Sequence, residues 1–419
     1  MTLLRTSFLN GIAVVIKMLT LLGINKMLAI YVGPSGYAAL GQFQNAVQMV
    51  TTFSTGAIST GVTKYTAEYQ NDEDAQRRVW RTAGTIACMG SVLTSVLIVI
   101  FSKPLAVWCF NNEAMYSVFI WCAATVIFFS FNTLLLAILN GKKEINRYIL
   151  ANIGGSLLSL LVIIIMVRQF GLYGALISLV LYQSIAFLVT CLLCYRTEWF
   201  RFSNLLGKLD RQIAINLTKF TAMALTTAAC VPVSHILVRN YLGAEFGWET
   251  AGYWEAMWRL STAYLLLVTT TLGLYFLPKL SELINPLDIK REILQGYKLI
   301  LPVAMVCGVV IYSLRDFIIG LLFTQAFSPM RDFFAWQMLG DTLKIASWIL
   351  AYLMLGKAMV KMYILTEVFF ALSFYVLTVL LTKVGGPVGV TWAHAANYGM
   401  YLIVMYFLIY RKLNKNNAG

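Results

Sequence analysis

The sequence predicts an all-α integral membrane protein with twelve transmembrane helices in two six-helix lobes. Three observations carry that expectation. Hydrophobic residues fill 59% of the 419 positions and charged residues only 12%, against about 45–50% and about 25% in soluble domains. The apolar runs are about 20 residues long, enough to cross a bilayer core as helices. The short alternating segments of a transmembrane barrel do not occur in the sequence.

Twelve spans are expected at roughly 8–32, 38–63, 82–102, 115–139, 148–167, 172–195, 212–238, 250–277, 297–314, 333–356, 362–382 and 387–410. The first is expected to stay in place, because Lys17 interrupts its apolar run and no small-x-small cleavage pattern follows. The polar connections near 70–78, 196–211 and 279–290 are only loop-sized, so no soluble domain is expected. After the sixth span, "RTEWFRFSNLLGKLDRQ" mixes aromatic and basic residues as interfacial segments do. It marks a seam between lobes 1–205 and 206–419. The lobes resemble each other at their starts, where Gly41-Gln42-Phe43-Gln44 can be laid beside Gly252-Tyr253-Trp254-Glu255. An even number of spans per lobe makes the repeat a parallel pseudo-two-fold, with its axis along the membrane normal.

The net charge of +14 would suggest nucleic acid in a soluble protein, but here topology explains most of it. With both termini cytoplasmic, the inside segments hold twenty-one Lys and Arg and the outside segments six. Five remain within spans: Lys17, Lys26, Lys219, Arg259 and Lys344. A Lys or Arg at a helix centre costs ~2.5–3.5 kcal/mol on insertion scales, so these five call for a function. The seven cysteines lie mostly in apolar runs, and their odd number without clustered histidines argues against a disulfide framework or a metal site. The sequence points to no cofactor, and it contains no G-x-x-x-x-G-K-[ST] for ATP hydrolysis.

Polar residues recur at helical spacing in the second span as Asn45, Gln48, Thr52 and Thr55. The eighth span adds Glu255 and Arg259, spaced i, i+4 for an ion pair. The tenth adds Gln337, Asp341 and Lys344, with the last two expected to pair. Stable bundles do not turn such stripes toward lipid, so these faces are expected to line a wet cavity. The competing reading is interhelical packing, for which Thr, Ser and Gly often suffice. Trp254 and Trp258 also allow an aromatic belt at the membrane interface. Lys26, Lys64, Lys219 and Arg259 are the candidate cations for an anionic substrate, and Glu255, Asp341 and Glu367 are candidates for ion coupling. His235 and His394, the only histidines, are expected to be hydrogen-bonded packing residues.

The segments "IKMLTLLGINKMLAIYVGP", "GVTKYTAEY", "MRDFFAWQMLGDTLK" and "LGKAMVKMYILTE" closely resemble the O-antigen and enterobacterial common antigen flippases of Gram-negative bacteria. These belong to the multidrug/oligosaccharidyl-lipid/polysaccharide exporter superfamily, and the resemblance covers nearly the whole chain. It implies a non-enzymatic flippase of the bacterial inner membrane. Such a protein carries a polyprenyl-pyrophosphate-linked oligosaccharide from the cytoplasmic to the periplasmic leaflet by alternating access. The O-antigen polymerase and chain-length regulator are the implied partners, beside the lipid bilayer. Lys17, Lys26, Lys64, Trp254, Trp336, Gln337, Asp341, Lys344 and Lys357 match the common antigen branch. Glu255 and Arg259 fall where that branch is uncharged, which turns the expectation toward O-antigen. Two alternatives are a multidrug antiporter of the same superfamily, which would favour buried carboxylates for organic cations, and a membrane glycosyltransferase or polymerase, which would need catalytic groups in sizeable outside loops.

Overall fold

The computed structural model describes residues 3–415, apart from 57, 111, 273–275, 277, 278, 281, 282, 284 and 358. The side chains of Lys17 and Lys219 lie outside the described residues. Among the described residues every regular element is helical.

The chain forms two compact units. The first comprises residues up to Val32 together with Ala39–Pro232, and the second comprises Gly33–Ala38 and Val233–Gly419. Unit 1 contains α1 (Leu3–Tyr31), most of α2 (Gly33–Thr55), α3 (Ser59–Glu68), α4 (Glu73–Ile100), α5 (Ser102–Phe110), α6 (Tyr116–Gly141) and α7 (Ile145–Cys194). It also takes the first part of α8 (Arg211–Phe246), up to Pro232. That proline lies inside the helix, where it removes a backbone donor. Unit 2 takes the rest of α8, then α9 (Trp248–Thr271), α10 (Pro286–Ser313), α11 (Arg315–Leu322), α12 (Phe334–Gly356), α13 (Val360–Gly385) and α14 (Gly389–Lys415).

Local signals set the helix ends. Asp72 caps α4 by accepting from the Ala75 amide at 2.9 Å, with Glu73 and Asp74 in the first turn to meet the helix dipole. Asn285 caps α10 in the same way, followed by Pro286 at the position where a missing amide proton does no harm.

Six segments among the described residues are long and apolar enough to cross a membrane. Two of them run to 50 and 53 residues, more than twice the ~20 that a bilayer core takes. Each contains a break. Gly171 interrupts α7 at φ 54°, ψ −131°, a conformation open essentially to glycine alone. The turn Gly386–Val388 separates α13 from α14. Gln, Asn, Thr, Glu and Arg interrupt the apolar runs of α2 and α9.

Inside unit 1, Trp80, Val79 and Ala83 of α4 pack with Leu135, Ile138 and Leu139 of α6 and with Leu205 of the following loop. Small polar residues join the helices. Ser130 of α6 bonds Ser54 of α2 at 2.9 Å and Ser91 of α4 at 2.8 Å, and Thr190 of α7 donates to Asn132 at 2.7 Å. These buried bonds are the packing role that small polar residues serve in bundles.

Candidate functional site

The segment Gly252–Thr262, which holds Glu255 and Arg259, lies in unit 2 and buries its charges. Glu255 sits between two guanidiniums. Arg239 of α8 reaches its Oε2 through Nη2 at 2.7 Å, and Arg259 reaches its Oε1 through Nε at 2.8 Å. Side-chain exposure is 1% for Arg239, 5% for Glu255 and 12% for Arg259. The cluster therefore carries one net positive charge away from water. Rings support the cations: Arg239 lies over Trp254 at 5.4 Å and Arg259 over Tyr37 at 5.5 Å, each a cation–π distance.

The expected i, i+4 pair between Glu255 and Arg259 is present, and Arg239 is the addition. Its sequence position suggests an outside loop, whereas the structure buries it within α8. The signal available was its i, i+4 spacing from His235 across the helix end. Trp254 is fully buried, with its ring 5.3 Å from His235. It takes no part in an interfacial belt.

Asp341 of α12 forms a second centre. Its Oδ2 accepts from Ser261 Oγ at 2.6 Å and from Tyr264 OH at 2.5 Å, both on α9. Its Oδ1 accepts from Gln337 Nε2 at 3.3 Å and meets His394 Nε2 of α14 at 3.0 Å. With Nε2–H donating, the other ring nitrogen is a bare acceptor, and His394 Nδ1 is buried without a hydrogen-bond partner. The expected pairing of Asp341 with Lys344 is not what forms. At i, i+3 the two share a helix face, but Asp341 is saturated by donors from α9, α12 and α14. Lys344 instead lies among rings, 4.3 Å from Trp258, 4.9 Å from Trp348 and 5.3 Å from Tyr398. His394, expected to be a hydrogen-bonded packing residue, is buried with the Asp341 carboxylate as its hydrogen-bond partner, and His235 packs against Trp254, Trp258 and Phe374.

Glycine makes the His394 contact feasible. A Cβ at Gly340 would overlap the imidazole ring, so α12 and α14 can approach this closely only with glycine there.

The other candidates fall in unit 1. Gln48 and Thr52 line a cavity of 320 Å³ together with Gln44, Thr51, Thr125 and Tyr182. Asn45 lies outside that lining, with its amide nitrogen buried and unpartnered. Thr55 lines a separate 10 Å³ void beside Ser130. Lys64 lies over the Tyr65 ring at 5.0 Å, and Lys26 is half-buried in α1. Glu367 is half-buried on α13 in unit 2.

Comparison with known proteins gives these features a context. The sequence profile described as "Polysaccharide biosynthesis protein" matches residues 3–284. This chain belongs to that family. The family relationship extends along the whole chain: proteins named Lipid III flippase from Escherichia coli K12 and from Shigella flexneri are each 31% identical over 414 residues, covering 98% of this chain and 100% of theirs. The fold of this family member is similar to that of an inward-facing MATE family multidrug resistance transporter of the MOP superfamily. The TM-score is 0.77, with 13% identity and 95% of each chain covered. A MOP superfamily transporter from Pyrococcus furiosus gives a TM-score of 0.64 at 16% identity, with 96% of this chain and 95% of that one covered.

Proposed function

We propose that the chain is a flippase that carries a polyprenyl-pyrophosphate-linked O-antigen oligosaccharide from the cytoplasmic to the periplasmic leaflet of the bacterial inner membrane. On this reading twelve helices in two six-helix lobes, 1–205 and 206–419, work by alternating access with both termini cytoplasmic. The chain moves its substrate without altering it. The observation that carries the anionic-head reading is the buried Arg239–Glu255–Arg259 cluster. The cluster sets two guanidiniums against one carboxylate, and guanidinium grips phosphate through two parallel hydrogen bonds. The near-full-length relationship to proteins named lipid III flippases supports the substrate class.

Physics sets the path of the lipid. Each CH₂ of the polyprenyl tail would lose ~0.8 kcal/mol on entering water, so the tail stays in the bilayer while the head crosses. Arg259, the least buried of the two arginines, takes the phosphate, and Glu255 orients it until substrate arrives. Glu255, Asp341 and Glu367 are the candidates for ion coupling. Among them Asp341 is hydrogen-bonded to a histidine, His394, at 3.0 Å. The multidrug-antiporter alternative asks for a carboxylate open to an organic cation, but Glu255 is held by two arginines and Asp341 by four donors.

Arg259→Ala should abolish O-antigen display at the cell surface while the protein stays in the membrane, and Arg259→Lys should restore it only in part. Normal display by Arg259→Ala would remove Arg259 from the substrate path.

A further inference from the structure

The 320 Å³ cavity of unit 1 does not fit the chemistry of a pyrophosphate. Among the residues that line it there is no Lys, Arg, Asp or Glu. Its polar groups are Gln44, Gln48, Thr51, Thr52, Thr125 and Tyr182, set among apolar Val47, Val126, Leu179 and Phe129. Ligand pockets usually pair a mostly apolar wall with a few placed polar groups. This one has an unusual share of neutral hydroxyls and amides.

The hydroxyls are already oriented. Thr51 Oγ1 donates to the Val47 carbonyl, Thr52 Oγ1 to the Gln48 carbonyl and Thr125 Oγ1 to the Trp121 carbonyl, each at 2.8 Å. A hydroxyl has one proton and two lone pairs, so each threonine presents acceptor capacity. Gln48 adds an amide that can both donate and accept. Its side chain is exposed. A ligand rich in O–H donors, with some acceptors of its own and an apolar C–H face for the Phe129 and Tyr182 rings, matches this lining. At ~30 Å³ per water, the volume holds about ten waters, which is room enough for one hexose ring.

We propose that this cavity is a saccharide subsite that takes one neutral sugar ring of the transported oligosaccharide, through hydroxyl donation to Thr51, Thr52 and Thr125 and exchange with the Gln48 amide. The proposal rests on the flippase reading and deepens it, because it assigns sugar recognition to unit 1 side chains that carry no charge. A sugar acid is disfavoured here, since its carboxylate would lose hydration without meeting a cation.

The test compares two ligands on the full chain in lipid nanodiscs by native mass spectrometry: polyprenyl pyrophosphate alone, and the same lipid bearing the oligosaccharide, extracted from the host's membranes. Gln48→Leu and Thr125→Val keep side-chain size while deleting polar groups on two different helices. Each should weaken binding of the oligosaccharide-bearing lipid about five- to tenfold and leave polyprenyl pyrophosphate binding as in the parent. Arg259→Ala should weaken both ligands. Melting temperatures check that the variants are folded, and Thr52→Val provides a third if either is not. Equal weakening of both ligands, or no weakening of either, by the cavity variants overturns the subsite while leaving the flippase reading in place. Failure of the parent protein to bind either ligand overturns both.

Discussion

Replacing Glu255 with Ala tests whether the buried cluster holds unit 2 together. Glu255 touches Arg239 at 2.7 Å and Arg259 at 2.8 Å. Charge centres about 4 Å apart attract by about 4 kcal/mol at an effective dielectric of ~20. The two guanidiniums, at roughly twice that separation across the carboxylate, repel by about 2 kcal/mol. Without the carboxylate the two attractions disappear and the repulsion stays, in a place where water reaches Arg239 hardly at all. Breaking a buried pair typically costs ~3–5 kcal/mol, because the remaining charge loses the compensation its partner gave. The expected result is a fall in melting temperature of about 10 °C for Glu255→Ala, measured by thermal unfolding of the purified protein in detergent. Adding Arg239→Met to Glu255→Ala removes one of the two mutually repelling cations and should recover about half of the loss. If Glu255→Ala melts with the parent protein, the cluster is hydrated in the working state and the electrostatic argument fails.

Three further outcomes follow from the Asp341 centre. Asp341→Asn and His394→Gln should couple in a double-mutant cycle by about 1.5–3 kcal/mol, as a charged hydrogen bond does, and additive effects on stability would show that the bond does not form. Gly340→Ala should push the imidazole off the carboxylate and lower the melting temperature by more than Gly399→Ala, whose added Cβ meets only a Leu343 methyl at 3.8 Å; equal effects would sink the close-approach argument. Lys344→Met keeps the stem but empties the ring cage of its charge, so tryptophan fluorescence from Trp258 and Trp348 should rise in the folded variant; an unchanged spectrum would place the ammonium elsewhere.

The sequence by itself determined the class and the local pairs. Composition and run length dictate a helical membrane protein, because hydrocarbon leaves the backbone no partner but itself. The i, i+4 spacing of Glu255 and Arg259 dictates their contact, because neighbouring turns of one helix bring them within reach whatever else the chain does. The positions of the other partners depended on tertiary structure. Arg239 reads as a loop cation until α8 carries it beside α9. Asp341 and Lys344 share a helix face and yet take different partners, since Ser261, Tyr264 and His394 arrive from other helices with better geometry for the carboxylate, while three rings surround the ammonium. The stripe on α2 divides the same way. Thr55 faces helix packing beside Ser130, and Gln48 and Thr52 face the cavity. Periodicity marks all of them as one polar face, but only the approach of α4, α6 and α7 decides which part of that face is buried against protein and which is left open to a ligand.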